Sequence, residues 1–389
     1  MQSLVRLLTI LSFAVACAAP PPAAAEVPIS PVVRAPFAVD LGGWTSAAEV
    51  VHPDPAGAHG RGPWPVVLLV HGNGPHDMDV TLSGPDGPTK MFASIADALA
   101  ARGFAVVRYH KRFVKGPGRF DARFWREQST PVFAVDAGRV LDSLAALPVC
   151  DRSRMFVWGW SEGTAIAAEL ATKRQDVRGL VLQGPVGLPW REMVRGWILD
   201  VGLPYASLPD GSGVTSESLA AALNGHGGMV AKLGASFFAD PASARTPKPA
   251  VSPLLDANGD GRLDPDTEVR ANVERMLDFA FSKQGNVWIY AEGRTLPTCT
   301  EQAAHIAVPV LILQGTNDAS TPLRAGRVLE EALKREGKDA TLWELPGLGH
   351  MLCPAASTID DSARAPDAKV LVRAAGWLAA RSSALTAAQ

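Results

Sequence analysis

The stretch Met155-Phe-Val-Trp-Gly-Trp-Ser-Glu-Gly-Thr-Ala-Ile-Ala-Ala168 decides the fold. Four residues of buried-strand character run into Gly159-Trp160-Ser161-Glu162-Gly163, and an Ala-rich helical pattern follows at once. A serine between two glycines at a strand-to-helix junction is what a nucleophile elbow requires: the turn is too tight for side chains at the glycines, and its strain holds the hydroxyl clear of the backbone. The helix that begins there points its positive end at any oxyanion forming on a substrate. G-x-S-x-G alone arises by chance in Gly-rich chains. Its position between strand and helix gives it weight, against the blander reading of a plain βα turn.

Working outward, Pro65-Val-Val-Leu-Leu-Val70 is a continuous apolar run, the mark of a strand buried on both faces. Phe37–Val39 and Ala47–Val51, in a Pro-rich region, read as antiparallel edge strands. Met91–Arg102 has helical periodicity, with Gly103 as its C-cap. Phe104–Tyr109 reads as a strand, Val132–Leu147 as a helix and Gly179–Gln183 as the next strand. Short apolar strands alternating with helices predict an α/β fold with a mostly parallel central sheet flanked by helices. The regularity breaks between Gly184 and Thr300, where helical segments, Gly-rich loops and aromatics such as Trp190, Trp197, Phe237, Phe238, Phe281, Trp288 and Tyr290 gather. A long insertion after a strand's C-terminal end sits over the active face, so residues 184–300 are expected to form a lid, unless the aromatics are the core of a packing subdomain. The pattern resumes with strand Val308–Gln314, helix Arg324–Glu336, strand Ala340–Leu345 and a final amphipathic helix from Asp367 to about Arg381. Residues 26–183 and 301–389 therefore form one catalytic unit.

Two more loops carry chemistry. Leu311-Ile-Leu-Gln-Gly-Thr-Asn-Asp318 puts a carboxylate just past a strand's C-terminal end, and Leu345-Pro-Gly-Leu-Gly-His350 does the same with a histidine. The chain order Ser161, Asp318, His350 fits a nucleophile, an orienting acid and a general base. His350 accepts the Ser161 proton and later delivers it to the leaving group, while Asp318 holds the tautomer and stabilises the imidazolium. Asn317 is the neighbouring alternative to Asp318, but it carries no charge.

At these residues the chain resembles a serine α/β-hydrolase of the esterase and dienelactone-hydrolase-like branch. That branch carries H-G-S-G-P-x-D-R-D after its third strand, matched by His71-Gly72-Asn73-Gly74-Pro75-His76-Asp77-Met78-Asp79. The resemblance covers Val66–Gln183 and Val308 onward and says little about the insertion. It implies the α/β-hydrolase fold, with the insertion after the sixth strand. It also implies an oxyanion hole of the backbone N–H groups of Asn73 and Glu162, and no cofactor for catalysis. Each such donor is worth roughly 3 kcal/mol in the transition state. Asn73 for Ser and Met78 for Arg are departures, as is Tyr109-His110-Lys111-Arg112 where the branch often has Tyr-Asp-Lys-Arg. A backbone donor tolerates a change of side chain, so Asn73 leaves the assignment intact. The expected activity is cleavage of a small-molecule carboxylic ester through an acyl-enzyme. A peptidase or amidase, or a non-catalytic binding protein on the same fold, are the alternatives.

A second signal is Asp256-Ala-Asn-Gly-Asp-Gly-Arg-Leu-Asp264. Asp256, Asn258, Asp260 and Asp264 stand at positions 1, 3, 5 and 9 of an EF-hand-type calcium loop, with Gly261 at position 6. Position 12 is Thr267, and the carboxylate Glu268 arrives one residue late. A structural calcium in the loop 256–268 and a turn in which Asp264 caps the following helix stand as equal readings. The side chain of Glu162 is expected to meet solvent. His52, His59, His76, His110, His226 and His305 have no zinc-like spacing and read as surface or packing residues.

A net charge of −2 leaves no electrostatic footprint for nucleic acid. An apolar content of 47% is ample for a core. Arg6, the apolar run Leu7–Ala16 and the small residues through Ala25 form a secretory signal at residues 1–25, too short for a membrane span. The expected location is therefore secreted or periplasmic. The rival is lipid anchoring at Cys17, where Ala14-Val15-Ala16-Cys17 resembles a lipobox. Past the signal remain Cys150, Cys299 and Cys353. Strand direction puts Cys150 at the bottom of the sheet and the other two near the top, so Cys299 with Cys353 is the one pair this layout allows. Oligomeric state is not legible.

Overall fold

The computed structural model describes residues 29–243, 246–285 and 287–387. The secretory signal and Cys17 lie outside the described residues.

Eight strands form the central sheet: β1 (Val32–Asp40), β2 (Thr45–Pro53), β3 (Trp64–Val70), β4 (Ala105–Tyr109), β5 (Cys150–Trp160), β6 (Val177–Gln183), β7 (Val310–Gly315) and β8 (Ala340–Leu345). Their order across the sheet is β1-β2-β4-β3-β5-β6-β7-β8. Only β2 runs against the rest: β1 pairs antiparallel with β2, from Val32 opposite Pro53 to Asp40 opposite Thr45, and β2 pairs antiparallel with β4, so β1 runs in the same direction as β4. From β4 to β8 every pairing is parallel, as the run of short apolar strands predicts.

All seven residues of β3 are buried, because it lies between β4 and β5 with helices on both sides. Val66, Leu68 and Val70 face one core; Val67 and Leu69 face the other. On the second face lie α1 (Met91–Ala100) and the C-terminal helix α9 (Ala368–Ala387), which meet through Met91, Phe92, Ile95, Leu371 and Leu378. On the first lie α2 (Thr130–Ser143), α3 (Glu162–Lys173) and α8 (Leu323–Arg335). Each fully buried Leu, Ile or Phe contributes about 1.5–3 kcal/mol by leaving water, so both faces bind the sheet firmly.

Several boundaries differ from expectation: β1 and β2 are longer than the apolar runs Phe37–Val39 and Ala47–Val51, β6 begins at Val177 and β7 runs from Val310 to Gly315. Strand β5 begins at Cys150 rather than Met155, because Trp64 and Pro65 of β3 pair with Cys150 and Asp151 across a register shift. Helix α2 starts two residues early, and its last turn tightens into a 3₁₀ turn over Leu144–Ala146. Helix α9 extends to Ala387.

Residues 184–300 contain α4 (Trp190–Gly196), which continues as a π-helical turn to Gly202, then α5 (Ser216–Asn224), α6 (Met229–Ser236) and α7 (Val273–Ala280). Their buried residues, including Trp190, Trp197, Phe238 and Tyr290, join the core that holds α2, α3 and α8. Main-chain ties fix the segment further: Cys299 N–H donates to Val186 O at 2.8 Å, and Gly228 N–H to Ile359 O at 2.7 Å.

The pairing of Cys299 with Cys353 does not form, and all three described cysteines are free thiols. Cys299 is buried in the α2/α3 face and Cys353 in the α1/α9 face. Both are near the top, as strand direction requires, but the sheet stands between them.

Candidate active site

Ser161 occupies the point where β5 ends and α3 begins, with φ +55° and ψ −125°. A non-glycine residue in this region is strained, and the strain is held by its surroundings. A Cβ on Gly159 would stand 2.4 Å from Gly163 O, and one on Gly163 would stand 2.3 Å from Val70 O. Both neighbours are backbone, so neither position admits a side chain. Ser161 N–H donates to Gln183 O at 2.9 Å, and Thr164 Oγ1 donates to Ser161 O at 2.6 Å, which pins the turn on both sides.

The loops after β7 and β8 bring the acid and the imidazole together. His350 Nδ1 lies 2.9 Å from Asp318 Oδ2, and both side chains are buried. The carboxylate accepts four further hydrogen bonds. Oδ1 takes Ser320 N–H and Thr321 N–H at 2.9 and 2.8 Å, and Oδ2 takes Thr321 Oγ1 and Gln314 Nε2 at 2.9 and 3.2 Å. So many donors hold the carboxylate in one orientation. With Asp318 as the acceptor, His350 carries its proton on Nδ1 and leaves Nε2 as the base. Burial disfavours the imidazolium, but the charge and hydrogen bond of Asp318 and the charge of Asp361 outweigh it. The His350 pKa is raised above its ordinary value. The ring of Trp160, the residue before Ser161, lies 5.4 Å from the His350 ring, so base and elbow share one wall.

The loop after β3 packs against the elbow: a Cβ on Gly72 would meet Trp160 Cε3 at 2.9 Å and Ser161 Cβ at 3.0 Å. This sets the start of the Gly72–Asn73 peptide against the elbow. Glu162 is the first residue of α3, where helix geometry leaves its N–H without an intrahelical acceptor. His76 Nε2 donates to Asn73 O at 2.5 Å, and burial pushes the His76 pKa down to about 3, so it holds the loop as a neutral ring. The two departures Met78 and His110 meet each other, since Met78 N–H donates to His110 Nδ1 at 2.8 Å.

The solvent expectation for Glu162 is wrong. Its side chain is 5% exposed and faces Lys111, itself 3% exposed, at 3.4 Å. The reason is tertiary: Lys111, just past β4, reaches the start of α3, a contact that no local pattern announces.

Two residues escaped the sequence reading. Asp361 Oδ1 accepts His350 N–H at 3.0 Å and Oδ2 accepts Ala319 N–H at 2.9 Å, so one carboxylate ties the acid loop to the base loop. Burial, with Asp318 nearby, pushes its pKa up to about 6. Gln183, at the end of β6, accepts from Trp158 Nε1 at 3.0 Å and donates to His350 O at 3.2 Å. Neither sits in a motif. An acidic residue in a loop and a glutamine ending a strand carry no local signal.

A cavity of about 590 Å³ opens between α4 and the acid loop, lined by Met193, Trp197, Val201, Asp318, Pro322 and Arg324. A comparable groove at Arg61, Trp64 and Arg154 lies at the opposite end of the strands, away from Ser161.

The loop 256–268 keeps its carboxylates on its own backbone. Asp256 accepts Gly259 N–H and Gly261 N–H, Asp260 accepts Arg262 N–H, and Asn258 Oδ1 accepts Asp260 N–H. Asp264 caps the next helical turn through Asp266 and Thr267. Among the described residues no group of three or more His, Cys, Asp or Glu side chains is placed to hold a metal ion. Nor is any described helix long and apolar enough to cross a membrane.

The chain is similar to known hydrolases over part or most of its length. Residues 65–210 match the family described as serine aminopeptidase, S33. Esterase EstD of Thermotoga maritima is 35% identical over 139 residues, which are 35% of this chain and 30% of that protein. The chain thus spans under a third of that relative's length. Among solved structures, proline iminopeptidase from Mycobacterium smegmatis superposes with a TM-score of 0.51 at 16% identity, over 90% of this chain and 99% of that one. Est1E from Butyrivibrio proteoclasticus with ferulic acid bound gives 0.49 at 14% identity, over 90% and 99%.

Proposed function

We propose, for a chain that belongs to the α/β-hydrolase superfamily, that it is a serine hydrolase cleaving carboxylic esters. The observation that carries the proposal is the buried His350–Asp318 pair, whose imidazole lies 5.4 Å from the ring of Trp160, next in the chain to a serine held at φ +55°. Ser161 Oγ attacks the acyl carbon while His350 Nε2 takes its proton. The oxyanion is received by Asn73 N–H and Glu162 N–H. Collapse expels the alcohol, which takes the proton from His350 and leaves an acyl-serine. Water, deprotonated by the same imidazole, then releases the acid and restores Ser161. No cofactor enters these steps. A panel of p-nitrophenyl acyl esters tests the reading: turnover that disappears in Ser161→Ala supports it, and undiminished turnover in that variant ends it.

The matched family description and the iminopeptidase likeness favour aminoacyl amides as a second reading. The same triad cleaves both bonds, so aminoacyl p-nitroanilides run beside the esters separate the two.

Residues 184–300 are proposed as a lid that helps form the substrate pocket; their α4 walls a cavity together with the loop of Asp318. Secretion through residues 1–25, with lipid attachment at Cys17 as the rival, is tested by the N-terminus and mass of the exported protein. A structural calcium at Asp256, Asn258, Asp260 and Asp264 is a narrower proposal. It rests on the spacing of those four residues in the sequence; the Glu268 carboxylate also turns back to the loop, where its two oxygens accept Ala257 N–H and Asp264 N–H. A melting temperature unmoved by calcium and by chelator removes it.

A further inference from the structure

Lys111 is buried although it is a lysine, and its burial is directed. Its Nζ donates to Gly72 O at 2.8 Å, while the Glu162 carboxylate lies at 3.4 Å, beyond the usual range for a strong hydrogen bond. The carbonyl is thus the closer partner. The rings of Phe133 and Phe124 stand 4.1 and 5.5 Å from the ammonium and cover it from water. Burial lowers the Lys111 pKa and raises that of Glu162, each offset in part by the other.

The placement of these two partners is specific. Gly72 O belongs to the peptide unit whose N–H is that of Asn73. Glu162 supplies the other N–H of the proposed oxyanion hole. One ammonium therefore touches the far end of the first donor peptide and the side chain of the second donor residue. We propose that Lys111 is a positioning residue of the oxyanion hole, setting the distance between its two donors and polarising the Gly72–Asn73 peptide toward the oxyanion. A cation on the carbonyl oxygen draws charge along the amide and strengthens its N–H as a donor, the cooperative effect of a hydrogen-bond chain in low dielectric. The chain reads ammonium, carbonyl, N–H, oxyanion, with positive and negative ends facing the correct way. Because the oxyanion exists only in the transition state and intermediate, the benefit falls on kcat and not on substrate binding.

This inference rests on the proposed serine-hydrolase reading, and its test separates the two. Lys111→Met alone leaves the Glu162 carboxylate buried and unpaired, so the measured protein is Lys111→Met with Glu162→Gln, whose backbone N–H is kept. Removing a whole donor from an oxyanion hole costs about 10²- to 10³-fold in kcat, and weakening one costs less. The double variant is expected to melt near the wild type, to keep KM within about 3-fold, and to lose about 10- to 100-fold in kcat. Its affinity for a trifluoromethyl ketone, which forms the tetrahedral adduct, falls in parallel. A wild-type kcat overturns the proposal, and so does a loss that tracks the unfolded fraction or appears in KM. Should the wild type prove inert toward esters and amides, the proposed function fails, and the Lys111 inference is then read from Ser161 labelling by a fluorophosphonate. The phosphoryl oxygen of that probe occupies the same hole. Labelling at least 10-fold slower in the double variant supports the inference; an equal rate refutes it.

Discussion

Gly184 belongs to no motif, yet the geometry makes it one of the most sensitive positions in the chain. It follows β6 with φ +54°, and a Cβ there would lie 2.8 Å from His350 Nδ1 and 2.9 Å from both His350 Cε1 and Thr321 Oγ1. Ordinary van der Waals contact begins at 3.4 Å, so Gly184→Ala asks the imidazole to retreat by roughly 0.6 Å. His350 Nδ1 is the atom bonded to Asp318, and Thr321 Oγ1 bonds the same carboxylate, so the shift falls directly on the base and its orienter. A misplacement of about 1 Å in a catalytic group can cost 10²-fold, so the variant is expected to lose about 10- to 100-fold in kcat. Left-handed strain at a residue with a Cβ adds about 1–2 kcal/mol of destabilisation. The assay is ester turnover at saturating substrate beside denaturant unfolding. Gly184→Ala with wild-type kcat would show that His350 does not occupy this position in the working enzyme, and the reasoning would fail.

Three further outcomes follow, two from the same site and one from the packing of the cysteines. In the proposed mechanism His350 must be neutral to act as base, and the neighbouring Asp318 and Asp361 carboxylates raise its pKa above the ordinary imidazole value. The pH profile of kcat/KM should therefore lose activity on acidification with a midpoint above 6.5; a midpoint below 6.5 contradicts the pairing with Asp318. Asp361 contributes to that raised value, so Asp361→Asn should move the acid limb to lower pH, and a limb that stays or moves upward refutes the link. Alkylation of the unfolded protein without reductant should modify Cys150, Cys299 and Cys353 alike, whereas a disulfide-linked peptide holding Cys299 and Cys353 would contradict their separation by the sheet.

What the sequence disclosed was local. Strand β3, the elbow and the loops to Asp318 and His350 each carry their signal within about ten residues, because steric limits on a tight turn and double-sided burial act on neighbouring side chains. What it withheld was tertiary. Glu162 looks like a solvated first-turn acid until Lys111 arrives from β4. Asp361 looks like any loop aspartate until its two oxygens bridge Ala319 and His350. The cysteines could be sorted by strand direction into top and bottom, but the choice of face depends on which helices cross over where. The insertion aromatics Trp190 and Tyr290, stacked at 3.6 Å, show no periodicity because they meet across a hundred residues of chain.

Covalent labelling of Ser161 tests the central claim most directly. The native protein is treated with a fluorophosphonate, digested and sequenced by mass spectrometry, beside Ser161→Ala. A single phosphonyl group on the peptide containing Ser161, absent from the variant and accompanied by loss of ester turnover, is the predicted result. No adduct, or an adduct at another residue with turnover intact in Ser161→Ala, would contradict the account.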